Sequence, residues 1–458
     1  MNPNLEDTII AVSTPPGSGG IGIVRISGPK ALDVARQIFQ VEKNNPAENP
    51  RTLCFGYLLN SKIGEKLDAG YLCYFPAPGS YTREDVVEIN LHGSPVLLSE
   101  AVKLGIEAGA RLAHPGEFTL RAYLNGRIDI IQAEAVNDLI RAVSLDQAKI
   151  SFRQLEGSLS KRISNLREQL VEVLVLLETI LEFPDEDVEI SRSQIKAGMK
   201  GLIDGVEQLI KSYEQGRALL EGLTIALLGK TNVGKSTLFN ALLEEERSIV
   251  TPYPGTTRDF IRENINVNGV LMRLVDMAGF GLAQHPVEEE GIIRSQKIAE
   301  QADGLLIILD SSREESEEDF YLLEKFQQKK SLIVFNKCDL EPKIDKNEIL
   351  KRYSQSASID VSALKGINLE NLKTLMLQTF SPTAERQDDI ILHEHQKILL
   401  EKIKANLEKS GLLLEEGFSE ELVAEELKEV LPVLGQLTGE IKSQEIIEQI
   451  FNRFCIGK

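Results

Sequence analysis

Leu223-Thr-Ile-Ala-Leu-Leu228, followed by Gly229-Lys-Thr-Asn-Val-Gly234-Lys235-Ser236, is the stretch that decides the fold of the middle of this chain. Leu223 to Leu228 is a short apolar run of the kind that forms a buried strand. A turn bounded by two glycines follows, and Lys235 opens a helical pattern. The turn fits GxxxxGK[ST], and a strand before it with a helix after it is the context that gives the motif meaning. Glycine lets backbone N–H groups close around phosphate, and the helix N-terminus adds positive potential. The motif assigns Lys235 to the β- and γ-phosphates and Ser236 to Mg²⁺, with Asn232, Val233, Gly234 and Thr237 in the same nucleotide-binding turn.

Reading toward the C-terminus, Met272-Arg-Leu-Val275 is a second strand and leads into Asp276-Met-Ala-Gly279. Asp276 stands where a carboxylate orients the Mg²⁺ shell, and the Gly279 N–H can meet a γ-phosphate. A third strand, Ser331 to Phe335, leads into Asn336-Lys337-Cys-Asp339. The Asp339 carboxylate can accept from both N1–H and the exocyclic amine of guanine. Adenine offers no such pair, so the site rejects ATP through unpaired polar groups. Ser362-Ala363-Leu364 follows a fourth strand and supplies a backbone N–H for the guanine O6. Together these elements predict a GTP site in a doubly wound α/β domain.

Between Ser236 and Asp276 lies Thr251-Pro-Tyr-Pro-Gly-Thr256-Thr257-Arg-Asp259, whose prolines and glycine predict a mobile loop. Thr257 is the expected second Mg²⁺ ligand and γ-phosphate sensor of a switch. Phe280 occupies the position after Gly279, where many GTPases place a water-orienting Gln. A phenyl ring cannot orient water. Val287-Glu288-Glu289-Glu290 offers carboxylates downstream, though by spacing alone they read as the solvated start of a helix.

The chain has 458 residues, enough for two or three domains. No apolar run is long enough to span a membrane, and the N-terminus lacks the pattern of a signal peptide. Cys54, Cys73, Cys338 and Cys455 form no CxxC pair, which points to a reducing cytoplasm. A net charge of −19 disfavours non-specific nucleic-acid binding. The charge is uneven. Arg111 to Arg167 carries nine Lys/Arg against six Asp/Glu, whereas Glu385 to Lys458 carries nine against sixteen. A local RNA contact through the first stretch remains open. Ser311 to Asp319 is an acidic loop. His393 and His395 are two apart, a spacing that puts them on different faces of a helix.

Residues 8–118 read as a small α+β domain, with β-type runs at Gly22–Ile26 and Asp85–Ile89. Residues 130–183 and 191–219 have helical periodicity, as do 388–455. The two helical pieces are expected to pack together, with the α/β domain inserted between them.

Several segments carry a resemblance over essentially the full length. They are Thr14 to Gly28, Tyr81-Thr-Arg-Glu-Asp-Val-Val-Glu88 with His92-Gly93, Pro115 to Thr119, Leu124 to Asp129, Gln132 to Ala135 and the terminal Phe454-Cys-Ile-Gly-Lys458. With the GTPase motifs, they resemble the MnmE (TrmE) family of tRNA-modification GTPases, within the TrmE-Era-EngA-YihA-Septin-like superfamily. The resemblance implies a multi-domain chain. An N-terminal α+β folate-binding and dimerisation domain (1–122) precedes a discontinuous helical domain (123–221 and 381–458), into which a Ras-like P-loop GTPase domain (222–380) is inserted.

The resemblance also implies a homodimer, a heterotetramer with a FAD-binding partner of the MnmG (GidA) type, and tRNA as substrate. The implied reaction places an aminomethyl or carboxymethylaminomethyl group on C5 of the wobble uridine. Its carbon would come from 5-formyl- or 5,10-methylene-tetrahydrofolate. Matched by position, Arg25, Glu88, Arg127 and Lys458 fall at the folate contacts, and Cys455 falls where a thiolate would assist one-carbon transfer. Asn232, Thr251, Tyr253 and Thr256 surround K⁺ beside the phosphates, and Glu288 becomes the water-orienting residue. Met277 stands where the family usually has Thr, a departure without chemical cost because the motif uses Asp276 and backbone. The alternative is a regulatory GTPase switch with no modification chemistry of its own.

Overall fold

The computed structural model describes residues 6–60, 63–182, 192–244, 261–277, 296–353, 356–381, 390–440, 450–451, 454 and 457. The chain divides into two compact units, one made of Met1–Ile140, Ser151–Asp204 and Lys402–Lys458, the other of Arg141–Ile150 and Gly205–Glu401.

The first unit contains a seven-stranded sheet built from β1 (Ile9–Val12), β2 (Gly19–Ser27), β3 (Phe39–Val41), β4 (Cys54–Asn60), β5 (Glu65–Phe75), β6 (Val86–Gly93) and β7 (Arg111–Leu112). Its order is β3-β4-β5-β6-β2-β1-β7, antiparallel except for the β1–β7 pair. Side chains alternate between the two faces of a strand, and β1 shows the consequence. Ile10 joins one core with Val24, Ile26 and Ile89 beneath the helices Ala31–Ile38 and Pro95–Glu107. Its neighbours Ile9 and Ala11 join Phe118, from the helix Glu117–Leu124, on the opposite face.

The helical texture after residue 130 resolves into the helices Ile130–Arg141, Leu145–Leu155 and Ser158–Glu182. Asp129 and Gln132 cap the first of these reciprocally. The Gln132 N–H donates to Asp129 Oδ1 at 2.8 Å, and the Asp129 N–H donates to Gln132 Oε1 at 3.0 Å. Gly157, with φ of +86°, separates the second helix from the third. The C-terminal helices Glu420–Lys428 and Val430–Thr438 pack against Ser158–Glu182, and Lys428 Nζ pairs with Glu178 at 2.8 Å. The last residues return to the first sheet. Tyr123 Oη donates to the Gly439 carbonyl at 2.6 Å, and Ser13 Oγ donates to the Gly457 carbonyl at 3.1 Å.

The second unit contains a six-stranded sheet of β8 (Leu223–Leu228), β9 (Ile261–Val267), β10 (Val270–Asp276), β11 (Gly304–Asp310), β12 (Ser331–Asn336) and β13 (Ala357–Asp360). Its order is β13-β12-β11-β8-β10-β9, parallel apart from the β9–β10 hairpin. Asn268 and Gly269, both at positive φ, close that hairpin with the pair such turns favour. Every residue of β11 and β12 is buried, as expected of central strands covered on both faces. One layer packs Leu238, Phe239, Leu242, Leu372 and Phe380 against the sheet, and the other packs Ala299, Leu322, Leu323 and Ile349.

The His393–His395 expectation needs correction. Their rings are stacked, 5.7 Å apart at 26°. His393 precedes the helix Glu394–Glu415, so helical-face geometry does not separate the pair.

Candidate functional site

The nucleotide motifs converge at the C-terminal ends of the strands in the second unit, where a doubly wound sheet binds its ligands. β8 ends at Leu228, and Gly229 turns the chain at φ of +154°. A Cβ there would lie 2.5 Å from the Ile308 carbonyl oxygen, so the close strand approach requires glycine. Asn232 adopts a left-handed φ of +66°, and Gly234 follows at +96° against the Asn336 amide. The helix Lys235–Glu244 begins at once.

Lys235 is buried, and its Nζ donates to the carbonyls of Gly229 at 2.9 Å and Lys230 at 2.7 Å. Burial holds its ammonium below the ordinary lysine range, and Asp276 only partly offsets that. Anionic phosphate oxygens in this turn would favour its charged form. Ser236 Oγ donates to Asp276 Oδ2 at 2.7 Å, which joins the first motif to the end of β10. Val233 is buried, while Thr237 is exposed in the first helical turn.

Asn336 links three segments. Its Nδ2 donates to the Val233 carbonyl at 2.8 Å, and its Oδ1 accepts from the Ala363 N–H at 3.0 Å. Of the backbone N–H groups of Ser362-Ala363-Leu364 expected near guanine O6, that of Ala363 is engaged with Asn336 in this structure. Asp339 faces Lys365 at 3.3 Å. Its carboxyl is held below the usual range, first by the Ser362 hydroxyl and then by Lys365. Lys337 has φ of +63°, and its Nζ donates to the Asn232 carbonyl at 2.9 Å and pairs with Asp310 at 2.6 Å. Asp310 went unnoticed in the sequence, although it ends an apolar strand just as Asp276 does.

Thr251, Tyr253, Thr256, Thr257, Gly279, Phe280, Glu288, Cys455 and Lys458 lie outside the described residues.

The first unit holds a second cluster. Arg25 on β2 and Glu88 on β6 are cross-strand partners, with Arg25 Nε 2.9 Å from Glu88 Oε1. Arg25 also lies 5.7 Å from the ring centres of both Tyr81 and Phe118. Arg127 approaches Tyr81 from further along the chain, at 5.0 Å, and its Nη1 donates to the Ser80 carbonyl at 2.6 Å. Among the described residues, no carboxylate pairs with Arg127. The Tyr81 hydroxyl bonds Thr119 Oγ1 at 2.9 Å, and burial raises its pKa. One aromatic ring thus carries two guanidinium groups, one paired and one with no carboxylate partner among the described residues, a cradle suited to an anionic aromatic ligand. Tyr81 and Phe118 lie within the quoted motifs but were not singled out.

A buried ionic network underlies this cluster. Arg121 is fully buried and donates to Glu84 at 3.2 Å, to Glu117 at 3.1 Å and to the Asp7 carboxylate. Arg111 adds bonds to Asp7 and Glu117. Burial pushes the Asp7 and Glu117 carboxyls up, but hydrogen bonds from the two arginines more than offset it, and both end below the ordinary range.

A family model described as the MnmE helical domain matches residues 130–455, and one described as the GTP-binding protein TrmE N-terminus matches residues 8–127. The tRNA modification GTPase MnmE of Aquifex aeolicus is 41% identical over 456 residues, 99% of this chain and 100% of its own length. A Thermoanaerobacter relative of the same name is 40% identical over 457 residues, 99% of each chain. Among solved structures, the FeoB G-domain of Methanococcus jannaschii is 27% identical, with a TM-score of 0.28, over 34% of this chain and 97% of its own. Era in complex with MgGDPNP and a 16S ribosomal RNA segment is 28% identical, with a TM-score of 0.30, over 40% of this chain and 66% of its own.

Proposed function

This chain belongs to the MnmE family of tRNA modification GTPases, and from that premise we propose that its GTP hydrolysis serves the modification of C5 of the wobble uridine in certain tRNAs. The chain is a GTPase that takes part in tRNA modification. The added group is aminomethyl or carboxymethylaminomethyl, and a FAD-binding partner of the MnmG (GidA) type shares the work with a homodimer of this chain. The division into 1–122, 123–221, 222–380 and 381–458 assigns folate, helical, GTPase and helical roles in turn.

One conjunction carries the reading. Lys235, Ser236, Asp276 and Asn336 meet at the strand ends of one sheet, in a chain that relatives of one name match end to end. Lys235 leaves two backbone carbonyls for the phosphates, whose charge it neutralises. Backbone N–H groups of the turn hold the remaining oxygens. Asp339 accepts from the guanine edge, and Ser362 keeps its carboxylate ionised.

Ser236 and Asp276 form a hard oxygen pair that suits Mg²⁺, with Thr257 as a further ligand. When bound there, Mg²⁺ would supply positive charge to the phosphates. The Asn232 side-chain oxygen, with oxygens of Thr251, Tyr253 and Thr256, suits K⁺, which supplies positive charge where a finger arginine does in other GTPases. Glu288 orients the attacking water in place of the glutamine that Phe280 excludes. Arg25, Glu88 and Arg127 around Tyr81, with Lys458, hold a 5-formyl- or 5,10-methylene-tetrahydrofolate. Cys455 acts beside that cofactor.

Nucleoside analysis of tRNA from cells lacking the protein tests the reading. The expected result is loss of the C5 substituent at the wobble uridine. An unchanged nucleoside profile returns the protein to the class of regulatory switches. GTP turnover compared in K⁺ and Na⁺ at equal ionic strength tests the cation, with K⁺ the faster. Full-length protein titrated with 5-formyltetrahydrofolate tests the cradle, and no heat of binding would refute it.

A further inference from the structure

The acidic loop between β11 and the helix Glu317–Lys325 has no part in the reading above, yet the carboxylates that flank it, Asp310 at the end of β11 and Asp319 in the first helical turn, pair with lysines of the nucleotide motifs. Two lysines of those motifs direct their ammonium groups to these carboxylates. Lys337, from the guanine-reading motif, pairs with Asp310 at 2.6 Å while capping the Asn232 carbonyl at 2.9 Å. Lys230, the second residue of the phosphate turn, pairs with Asp319 at 2.6 Å and bonds Ser316 Oγ.

Both carboxylates are preorganised. Asp310 accepts from the Ser312 N–H at 3.0 Å and the Ser312 hydroxyl at 2.7 Å. Asp319 accepts from the Ser316 N–H at 3.0 Å within a capping box that starts the helix. Both carboxylates are buried and their lysine partners only partly exposed, so each ion pair is less screened than a fully solvated one. The loop is tied down further along as well. The Lys343 N–H donates to the Ser311 carbonyl at 2.8 Å, and the Asp345 N–H donates to Glu315 Oε2 at 3.0 Å.

The consequence lies in two backbone carbonyls. The Lys230 carbonyl is where Lys235 Nζ rests at 2.7 Å, and Asn232 is held at its left-handed φ with its carbonyl under Lys337. We infer that Asp310 and Asp319 are positioning residues for GTP binding: together they bracket the first half of the phosphate turn, Asp310 through Lys337 on the Asn232 carbonyl and Asp319 through Lys230. They also neutralise these two lysines, leaving Lys235 as the unpaired cation of the turn among the described residues. The inference rests on the nucleotide-site reading above.

The test uses full-length protein and a fluorescent N-methylanthraniloyl-GDP, displaced by excess GDP in a stopped-flow experiment. Asp310→Asn and Asp319→Asn should each speed nucleotide release by roughly tenfold, the effect of losing one charge-assisted hydrogen bond that orders a loop. Release should change more than turnover at saturating GTP. Lys230→Met should reproduce Asp319→Asn, the double variant should be no worse than either, and Lys230→Arg should retain slow release. Wild-type release rates in both Asn variants would overturn the inference. If an Asn variant does not fold, Lys230→Met decides by the same criterion, since a lysine lost from a merely structural pair would lower the melting temperature without hastening release. A wild-type protein that fails to hold the probe would instead refute the nucleotide-site reading.

Discussion

The two sites are built by opposite means. In the second unit the phosphate turn is mostly backbone, and its functional side chains sit at strand ends, each within a few residues of a glycine or an Asn/Asp motif. In the first unit the cradle is all side chain. Arg25 and Glu88 meet because two strands pair in one register, and Tyr81 and Arg127 arrive from separate segments. A backbone site depends first on φ, with a few charged side chains fixed at its edge. A side-chain site tolerates change in its loops and depends on the sheet beneath it. That contrast teaches where each is fragile.

The largest effect should fall on the support of the cradle. Arg121→Met removes a fully buried guanidinium and strands Glu84, Glu117 and Asp7. The expected cost is about 3–5 kcal/mol, read from urea unfolding. An unchanged midpoint would mean that the network is not needed to hold the cradle. Acid should act on the same network with a definite sign. Asp7 and Glu117 have folded pKa values below their unfolded ones, so their stabilisation is present above the ordinary carboxylate range. It is lost as pH falls through the lowered folded values, and Arg121→Met should show a flatter stability profile there.

The nucleotide site should respond differently. Lys235→Met should lower GTP turnover by roughly a thousandfold, the order seen when a charge-stabilising donor is removed. Because burial disfavours its ammonium, the same change should leave the nucleotide-free melting temperature level or higher. A large drop in that temperature would erase the contrast with Arg121. Asp339→Asn should exchange guanine for xanthine preference by about a hundredfold, measured by competition between GTP and XTP. The smallest effect sharpens the other side. Tyr81→Leu should weaken 5-formyltetrahydrofolate binding by about three- to tenfold through the lost cation–π contacts, with Tyr81→Phe closer to wild type.

Legibility in the sequence follows the same division. Local backbone requirements leave local marks, so Gly229, Gly234, Lys235, Asp276 and Asn336 could be read with their chemistry. Asp310 could not, because its partner Lys337 is 27 residues away and an aspartate ending a strand is common. Nothing in the spacing of Arg25, Glu88 and Arg127 brings them together. Only resemblance named them, and it did not name Tyr81, whose role depends on two guanidinium groups reaching one ring. The helical region read as one texture because its breaks at residues 142–144 and 156–157 carry a single glycine between them.

The bond from Ser13 to the Gly457 carbonyl spans 444 positions. Gly457 itself needs glycine, with φ of +96° and the Val12 carbonyl where a side chain would begin. During synthesis at roughly 5–20 residues per second, β1 therefore waits about twenty seconds to a minute and a half for its last contact. The GTPase sheet closes far sooner, since its strands leave the ribosome within one contiguous stretch. A nascent chain carries a finished nucleotide-binding sheet before the seven-stranded sheet is sealed. A stop codon a few residues early would therefore spare the first and leave the second open at β1.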